Sequence, residues 1–317
     1  MPRRKPATVH GLLAIDKPAG ITSHDVVDRV RRLVGERKVG HSGTLDPDAT
    51  GVLLLGVGDA TRLLRYLDVI PGGTVEHPTT SKSYTAEIVL GIETSTLDAA
   101  GEVTATHDMS RVVNSLNVDS LQTLVDEHLT GAIMQVPPMV SALKVDGKRL
   151  HELAREGIEV ERAARPVTVH RFVVSAIEGN IVRVRVDCSS GTYVRSLALD
   201  LGRLLGGGAH VRALRRVAVG AFTVDDCVTL DALGSDDDAV ERLLPVAACV
   251  RALTNVPPDD VIRSAVEVGR VIPRSNFAGP PPWAVVDGGR VLAIFEPFAN
   301  HKVGDDMARP AIVLGRQ

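Results

Sequence analysis

The segment from Val167 to Cys188 constrains the fold more than any other. It holds two strand-like runs, Val167–Ile177 and Ile181–Cys188, separated only by Glu178-Gly179-Asn180. A glycine-containing turn between two such runs is a hairpin signal. In the second run Val182, Val184 and Val186 face one way while Arg183, Arg185 and Asp187 face the other. Successive side chains of a strand point to opposite faces, so a sheet with one apolar face and one polar, basic face is expected.

Other segments place helices beside that sheet. Gly11–Ile15 is a short apolar strand followed by the turn Lys17-Pro18-Ala19-Gly20. Thr22-Ser23-His24-Asp25 fits a capping box, and Val26, Val27, Val30, Leu33 and Val34 follow at helical spacing, with Gly35 or Gly40 as the stop. Tyr84–Leu90 alternates and ends at Gly91, as a strand does. Thr192–Leu205 carries Val194, Leu197, Leu201, Leu204 and Leu205 on one helical face and ends at Gly206-Gly207-Gly208. The result is a mixed α/β protein. Val69–Ser81 and Thr104–Asp119 are expected to be irregular, the first as a surface loop.

Composition narrows the function classes. The 317 residues suffice for a buried core, and the 44% hydrophobic content with only 3% aromatic residues means aliphatic packing. A net charge of −3 gives no global argument for nucleic acid, although basic residues cluster at 29–38, 144–165 and 212–216. Cys188, Cys227 and Cys249 are odd in number and have no metal-ligand spacing, so neither a disulfide framework nor a metal site is expected. No stretch approaches eighteen uncharged apolar residues, and a cytoplasmic protein is the expectation.

Residues 40–51, Gly-His-Ser-Gly-Thr-Leu-Asp-Pro-Asp-Ala-Thr-Gly, stand apart. A serine nucleophile would need Gly-x-Ser-x-Gly, and Gly40-His41-Ser42-Gly43-Thr44 lacks the final glycine. A phosphate loop would need a lysine near its end, and none is there. Asp46-Pro47-Asp48 suits a simple turn. Against that reading, His41, Thr44 and Asp46 sit in a glycine-bracketed loop, and glycines permit close approach of a ligand.

This stretch resembles the signature loop of the pseudouridine synthases, in particular the TruB family acting on uridine 55 in the T loop of tRNA. Supporting motifs follow in order: Leu13-Ala14-Ile15-Asp16-Lys17-Pro18, Lys82-Ser83-Tyr84, Val136-Pro137-Pro138-Met139-Val140-Ser141-Ala142-Leu143-Lys144, Gly191-Thr192-Tyr193-Val194-Arg195 and Leu214-Arg215-Arg216. The resemblance implies a mixed, largely antiparallel central sheet flanked by helices, followed by a small C-terminal β-barrel RNA-binding domain of the PUA type. It divides the chain into a catalytic domain at 1–248 and an RNA-binding domain at 249–317.

By the same resemblance Asp46 is the essential catalytic residue and Arg195 holds it ionised and oriented. Tyr84 stacks on the flipped base and serves in proton movement. Tyr193 and Leu214 line the pocket, Lys17 contributes to substrate binding, and His41 fills the space the base vacates. The reaction has no redox step, and a carboxylate can act on the sugar, so no cofactor or metal is expected. The expected partner is the tRNA T stem-loop, bound by a monomer that requires no protein partner and no membrane. A guide-dependent rRNA enzyme and a non-catalytic RNA binder of the same fold are the alternatives.

Overall fold

The structure, a computed structural model, describes residues 6–70, 81–141, 143–145, 147–158, 160–234, 236–300 and 304–315. Most of the expected 69–81 loop lies outside the described residues. The chain forms two compact units, neither contiguous in sequence. One comprises Met1–Leu45, Gly51–Ser81 and Ala218–Gln317, the other Asp46–Thr50 and Lys82–Val217.

The first unit begins with β1 (Gly11–Lys17), a nearly fully buried strand. The helix α1 (Ser23–Leu33) starts where the sequence places it. Asp25 N–H donates to Thr22 Oγ1 at 3.1 Å and Thr22 N–H donates to the Asp25 carboxylate at 2.8 Å, closing the capping box. Gly35, with φ +62°, follows the last helical turn in the left-handed conformation that glycine adopts most easily. The strands β2 (Val39–His41) and β3 (Thr50–Val57) follow, and β3 runs antiparallel to both β1 and β2, with Leu55 opposite Leu13 and His41. Val52–Leu55 are completely buried, as expected of an apolar run covered on both faces.

The second unit holds β4 (Lys82–Leu90), the short pair β5 (Ile92–Thr94) and β6 (Val103–Thr106), α2 (Ser110–Ser115), α3 (Val118–His128) and β7 (Gly131–Gln135). There follow β8 (Lys144–Val145), β9 (Lys148–Arg149), α4 (Leu150–Arg155), β10 (Arg165–Glu178), β11 (Ile181–Cys188), α5 (Val194–Leu204) and β12 (Ala209–Val219), whose last two residues belong to the first unit. Its sheet runs β12-β4-β11-β10-β7, with antiparallel pairing from β4 through β7. The β10–β11 hairpin turns at Gly179 (φ +59°), the sign a tight hairpin demands at its first central position. Val182, Val184 and Val186 are buried while Arg183 and Arg185 are exposed. The expected irregular stretch at 104–119 instead carries the end of β6, α2 and the start of α3. Elements of four and six residues are too short to show a period in sequence.

The chain then returns to the first unit with β13 (Phe222–Thr223), β14 (Val228–Thr229), α6 (Asp236–Glu241), β15 (Thr254–Val256), α7 (Asp260–Val268), β16 (Ile272–Pro273), β17 (Trp283–Asp287), β18 (Arg290–Asn300) and β19 (Gly304–Val313). The expected C-terminal barrel is corrected here. The five strands form an open sheet in the order β15-β17-β18-β19-β16, and its end strands have only three and two residues. So little strand at each edge leaves few backbone groups with which to close a barrel. Cys249, Leu253, Ala284, Ile294, Ile312 and Leu314 share one core cluster with Leu12, Ala14, Val52, Leu54, Leu63 and Leu67. Residues on either side of the expected boundary at 248/249 therefore pack into one core.

Candidate active site

The signature loop is held by its backbone. Ser23, the first residue of α1, grips both sides of Leu45: its hydroxyl donates to the Leu45 carbonyl at 3.1 Å and accepts from the Leu45 N–H at 2.9 Å. The next residue is Asp46. Its carbonyl accepts from Ala49 N–H at 3.1 Å, so Asp46-Pro47-Asp48-Ala49 is a turn with proline in its favoured second position. The turn reading and a chemical role for Asp46 are thus compatible. Asp48 is exposed. Ser42, the rejected nucleophile, is 7% exposed, and its N–H donates to the Leu54 carbonyl.

Arg195 lies in the first turn of α5, where the helix dipole disfavours a cation by a few tenths to ~1 kcal/mol. Its surroundings reverse that preference. Nε–H and Nη2–H take the two oxygens of Asp46, each at 3.0 Å, in a bidentate grip. Nη2 also donates to the Val140 carbonyl at 2.9 Å, while Nη1 donates to the Thr96 carbonyl at 2.7 Å and lies 3.5 Å from Asp98 Oδ2. Each guanidinium nitrogen thus faces an acceptor, and lysine could not reproduce that fork. The Arg195 side chain is 4% exposed, whereas that of Asp46 is 38% exposed. The arginine is thus dry while the carboxylate it holds remains partly exposed.

The acceptors on Nη1 come from a strained turn. Leu97 has φ +62°, which costs a non-glycine residue about 1–2 kcal/mol. Thr94 Oγ1–H donates to the Asp98 carbonyl at 2.6 Å, Thr96 Oγ1–H donates to Asp98 Oδ1 at 2.5 Å, and Val211 N–H donates to the Leu97 carbonyl at 3.1 Å. These bonds turn the Thr96 carbonyl and the Asp98 carboxylate toward Arg195.

Tyr84 sits in β4 opposite Val186 and is 8% exposed. Burial raises its phenol above the ordinary range, with Arg216, hydrogen-bonded to it, pulling the other way and the Cys188 and Asp46 neighbours adding smaller upward pushes. The hydroxyl is thus a neutral hydrogen-bonding group at physiological pH. Arg216, on β12, is itself 1% exposed. Tyr193, the N-cap residue of α5, and Leu214, on β12, are both half-buried.

Asp46, Arg195 and Tyr84 are therefore assembled within one unit. Lys17 and His41 belong to the other unit. Lys17 is completely buried, and its ammonium donates to the Pro18 and Ile21 carbonyls at 2.8 and 2.7 Å, closing the turn before α1. His41 is half-buried on β2.

Sequence reasoning missed Asp98, the Thr96 carbonyl and Gln135, whose side chain hydrogen-bonds both backbone groups of Tyr193. A backbone carbonyl has no sequence signal, and Asp98 stands in a polar turn like many others. Gln135 carried a usable clue, being a polar residue at the end of an apolar strand and directly before the Val136-Pro137-Pro138 motif. Among the described residues no group of three or more His, Cys, Asp or Glu is arranged to hold a metal ion, and no helix is long and apolar enough to cross a membrane.

Comparison with known proteins places the chain in a family. The N-terminal domain of the TruB family pseudouridylate synthases matches residues 31–194, and the tRNA pseudouridylate synthase B C-terminal domain matches residues 195–251. The tRNA pseudouridine synthase B of Rhodococcus jostii is 52% identical over 307 residues, covering 95% of this chain and 94% of that protein. Its counterpart from Aromatoleum aromaticum is 47% identical over 272 residues, covering 85% and 83%. Among solved structures, a chain of a Cbf5-Nop10-Gar1 complex superposes with a TM-score of 0.67 at 25% identity, covering 97% of this chain and 84% of that one.

Proposed function

Because the chain belongs to the TruB family of pseudouridylate synthases, we propose that it isomerises uridine 55 in the T loop of tRNA, with Asp46 as the group that acts on the target nucleotide. The protein is a tRNA pseudouridine synthase, an isomerase with the fold of that family. The reaction breaks an N-glycosidic bond, turns the base and rejoins it through carbon. Its atoms balance without a redox partner.

One observation carries the assignment of Asp46: a carboxylate held at both oxygens by a buried arginine, yet itself 38% exposed. An adjacent guanidinium favours the ionised form, and an ionised, oriented carboxylate is what attack on the sugar, or removal of a proton from it, requires. Glycosidases that add water commonly position a second carboxylate to activate it. Asp98 is no candidate for that task, because it is turned onto Arg195. Its charge shares the guanidinium with Asp46.

Tyr84 supplies a flat ring and a protonated hydroxyl for the extruded base, with Tyr193 and Leu214 as pocket walls. Lys17 fixes the turn before α1, and His41 contacts the RNA where the base has left the stack. Chemistry is assigned to residues 1–248 and grip on the rest of the tRNA to residues 249–317, acting as a cytoplasmic monomer without protein partners. The shared core cluster implies that the C-terminal part also supports the packing of β1 and β3.

The test is incubation of the purified chain with an unmodified tRNA transcript, followed by mapping of pseudouridine. Product at position 55, and none when that uridine is replaced by cytidine, is the expected result. Product elsewhere, or none with the wild-type chain, would refute the assignment.

A further inference from the structure

The segment 135–140 is fastened to the first turn of α5 at three points. Ser196 Oγ–H donates to the Val136 carbonyl at 2.9 Å, and Arg195 Nη2–H donates to the Val140 carbonyl at 2.9 Å. The third point runs the other way. Gln135, at the end of β7 and 2% exposed, accepts from Tyr193 N–H at 2.8 Å and donates to the Tyr193 carbonyl at 3.1 Å. A single side-chain amide thus pairs with both backbone groups of Tyr193, as a neighbouring strand would.

Tyr193 is the N-cap residue of α5, in extended conformation, and has no side-chain cap of its own. Its carbonyl also accepts the helical bond from Leu197 N–H at 3.2 Å. The position and tilt of the first helical turn are therefore set from outside the helix, and Arg195 lies two residues beyond the grip. We infer that Gln135 is a positioning residue for the isomerisation: by clamping the Tyr193 backbone it fixes where the Arg195 guanidinium, and through it the Asp46 carboxylate, stands relative to the nucleotide.

This inference rests on the reading of Asp46 and Arg195 as the reacting centre. Its chemistry demands an amide. Glutamate has the same shape but no donor for the Tyr193 carbonyl, and methionine has similar length but neither donor nor acceptor of comparable strength.

The experiment uses the full chain with a T-arm stem-loop RNA and excess enzyme, so that a single turnover reports chemistry separately from RNA affinity. Q135M and Q135E should slow that turnover roughly 10- to 100-fold, the scale of a displacement near 1 Å. The RNA dissociation constant should stay within about threefold of wild type, because the lost interaction is felt at the reacting atoms rather than in ground-state binding. If Gln135 acts through Arg195, the double variant Q135M/R195K should be no more than about twofold slower than R195K alone, since residues working as one unit are not additive.

Folded Q135M with a lowered Tm but wild-type turnover would reduce Gln135 to a structural residue and overturn the inference. Losses that multiply in the double variant would overturn it as well. Q135E, which keeps the shape, decides the matter should Q135M fail to fold. A wild-type chain that makes no pseudouridine removes the functional reading and this inference together. A wild-type chain that makes it while both Gln135 variants match its rate removes only the inference.

Discussion

Two arginine–carboxylate clusters stand in the same unit and differ chiefly in how much water reaches their arginines. Around Asp46 and Asp98 the Arg195 side chain is 4% exposed, and two backbone carbonyls complete its hydrogen bonding. On the outer face of β4, Glu87 accepts from Arg212 at 2.9 and 2.6 Å and from Arg183 at 3.1 Å, with both arginines 44% exposed. The outer cluster has as many charged bonds as the inner one. Water and salt screen it, however, and long exposed side chains surrender entropy to hold one geometry. The inner cluster cannot rearrange without leaving a charge or a carbonyl unpaired. The proposed chemistry draws on the inner cluster.

The largest effect tests that division directly. Asp46→Asn keeps the volume and removes the charge that Arg195 holds. Turnover should fall by more than about a thousandfold while binding of the T-arm stem-loop stays within about threefold, the signature of an interaction used only in the transition state. Asp48→Asn, in the same turn but exposed, should change turnover less than about threefold. Comparable losses in both variants would mean that the turn rather than the carboxylate matters.

Arg195→Met comes next, since it strands two carboxylates and two carbonyls. Removing one partner of a fully buried pair typically costs ~3–5 kcal/mol, and the 38% exposure of Asp46 lowers the expectation here to about 2 kcal/mol. Denaturant unfolding should show that loss, with turnover down at least about a hundredfold. Arg195→Lys should recover most of the stability and little of the turnover, because an ammonium is a point charge without a fork. Full recovery of turnover by lysine would show that orientation of Asp46 is unimportant.

Asp98→Asn is expected to be milder. Its carboxylate is 3.5 Å from Nη1, a longer contact than either bond to Asp46, and the amide keeps an oxygen for that contact. Turnover should fall about tenfold, on the scale of ~1.4 kcal/mol in the barrier. A value equal to wild type would confine the working cluster to Asp46 and its arginine.

These sites were unequally legible in the sequence. The capping box of α1, the β10–β11 hairpin and the stop after α5 rest on contacts a few residues apart, and such contacts leave a pattern. The pair Asp46–Arg195 spans 149 positions and was reached only through motif resemblance. No residue-level signal joins the two. The strand β12 is hidden because Arg212, Arg215 and Arg216 form a basic cluster that interrupts the apolar alternation of a strand. In the structure Arg216 is buried beside Tyr84, and Arg212 is neutralised by Glu87. The C-terminal barrel is expected from the resemblance alone, and nothing in the sequence announces how short the edge strands of the open sheet are. Leu97 contradicts its own backbone preference, so nothing in its identity could have announced the turn that serves Arg195.

The smallest predicted effect belongs to the outer cluster. Glu87→Gln removes the charge shared by Arg183 and Arg212, and the cost should be under about 1 kcal/mol at low salt, shrinking further at high salt. The sign of its pH dependence follows from the hydrogen bonds of Arg212 and Arg183, which hold the Glu87 carboxyl below its ordinary value of 4.5. A carboxyl lowered in the folded state stabilises the protein above its unfolded value and loses that contribution as pH falls through its folded value. Wild type and Glu87→Gln should therefore differ most in unfolding free energy above about pH 5 and converge below that range, as protonation removes the charge the substitution has already removed. The measurement is urea unfolding of both proteins across the acid range at two salt concentrations. A difference that survives high salt and low pH would show that Glu87 acts through packing, and would undo the contrast between the screened outer arginines and the buried inner one.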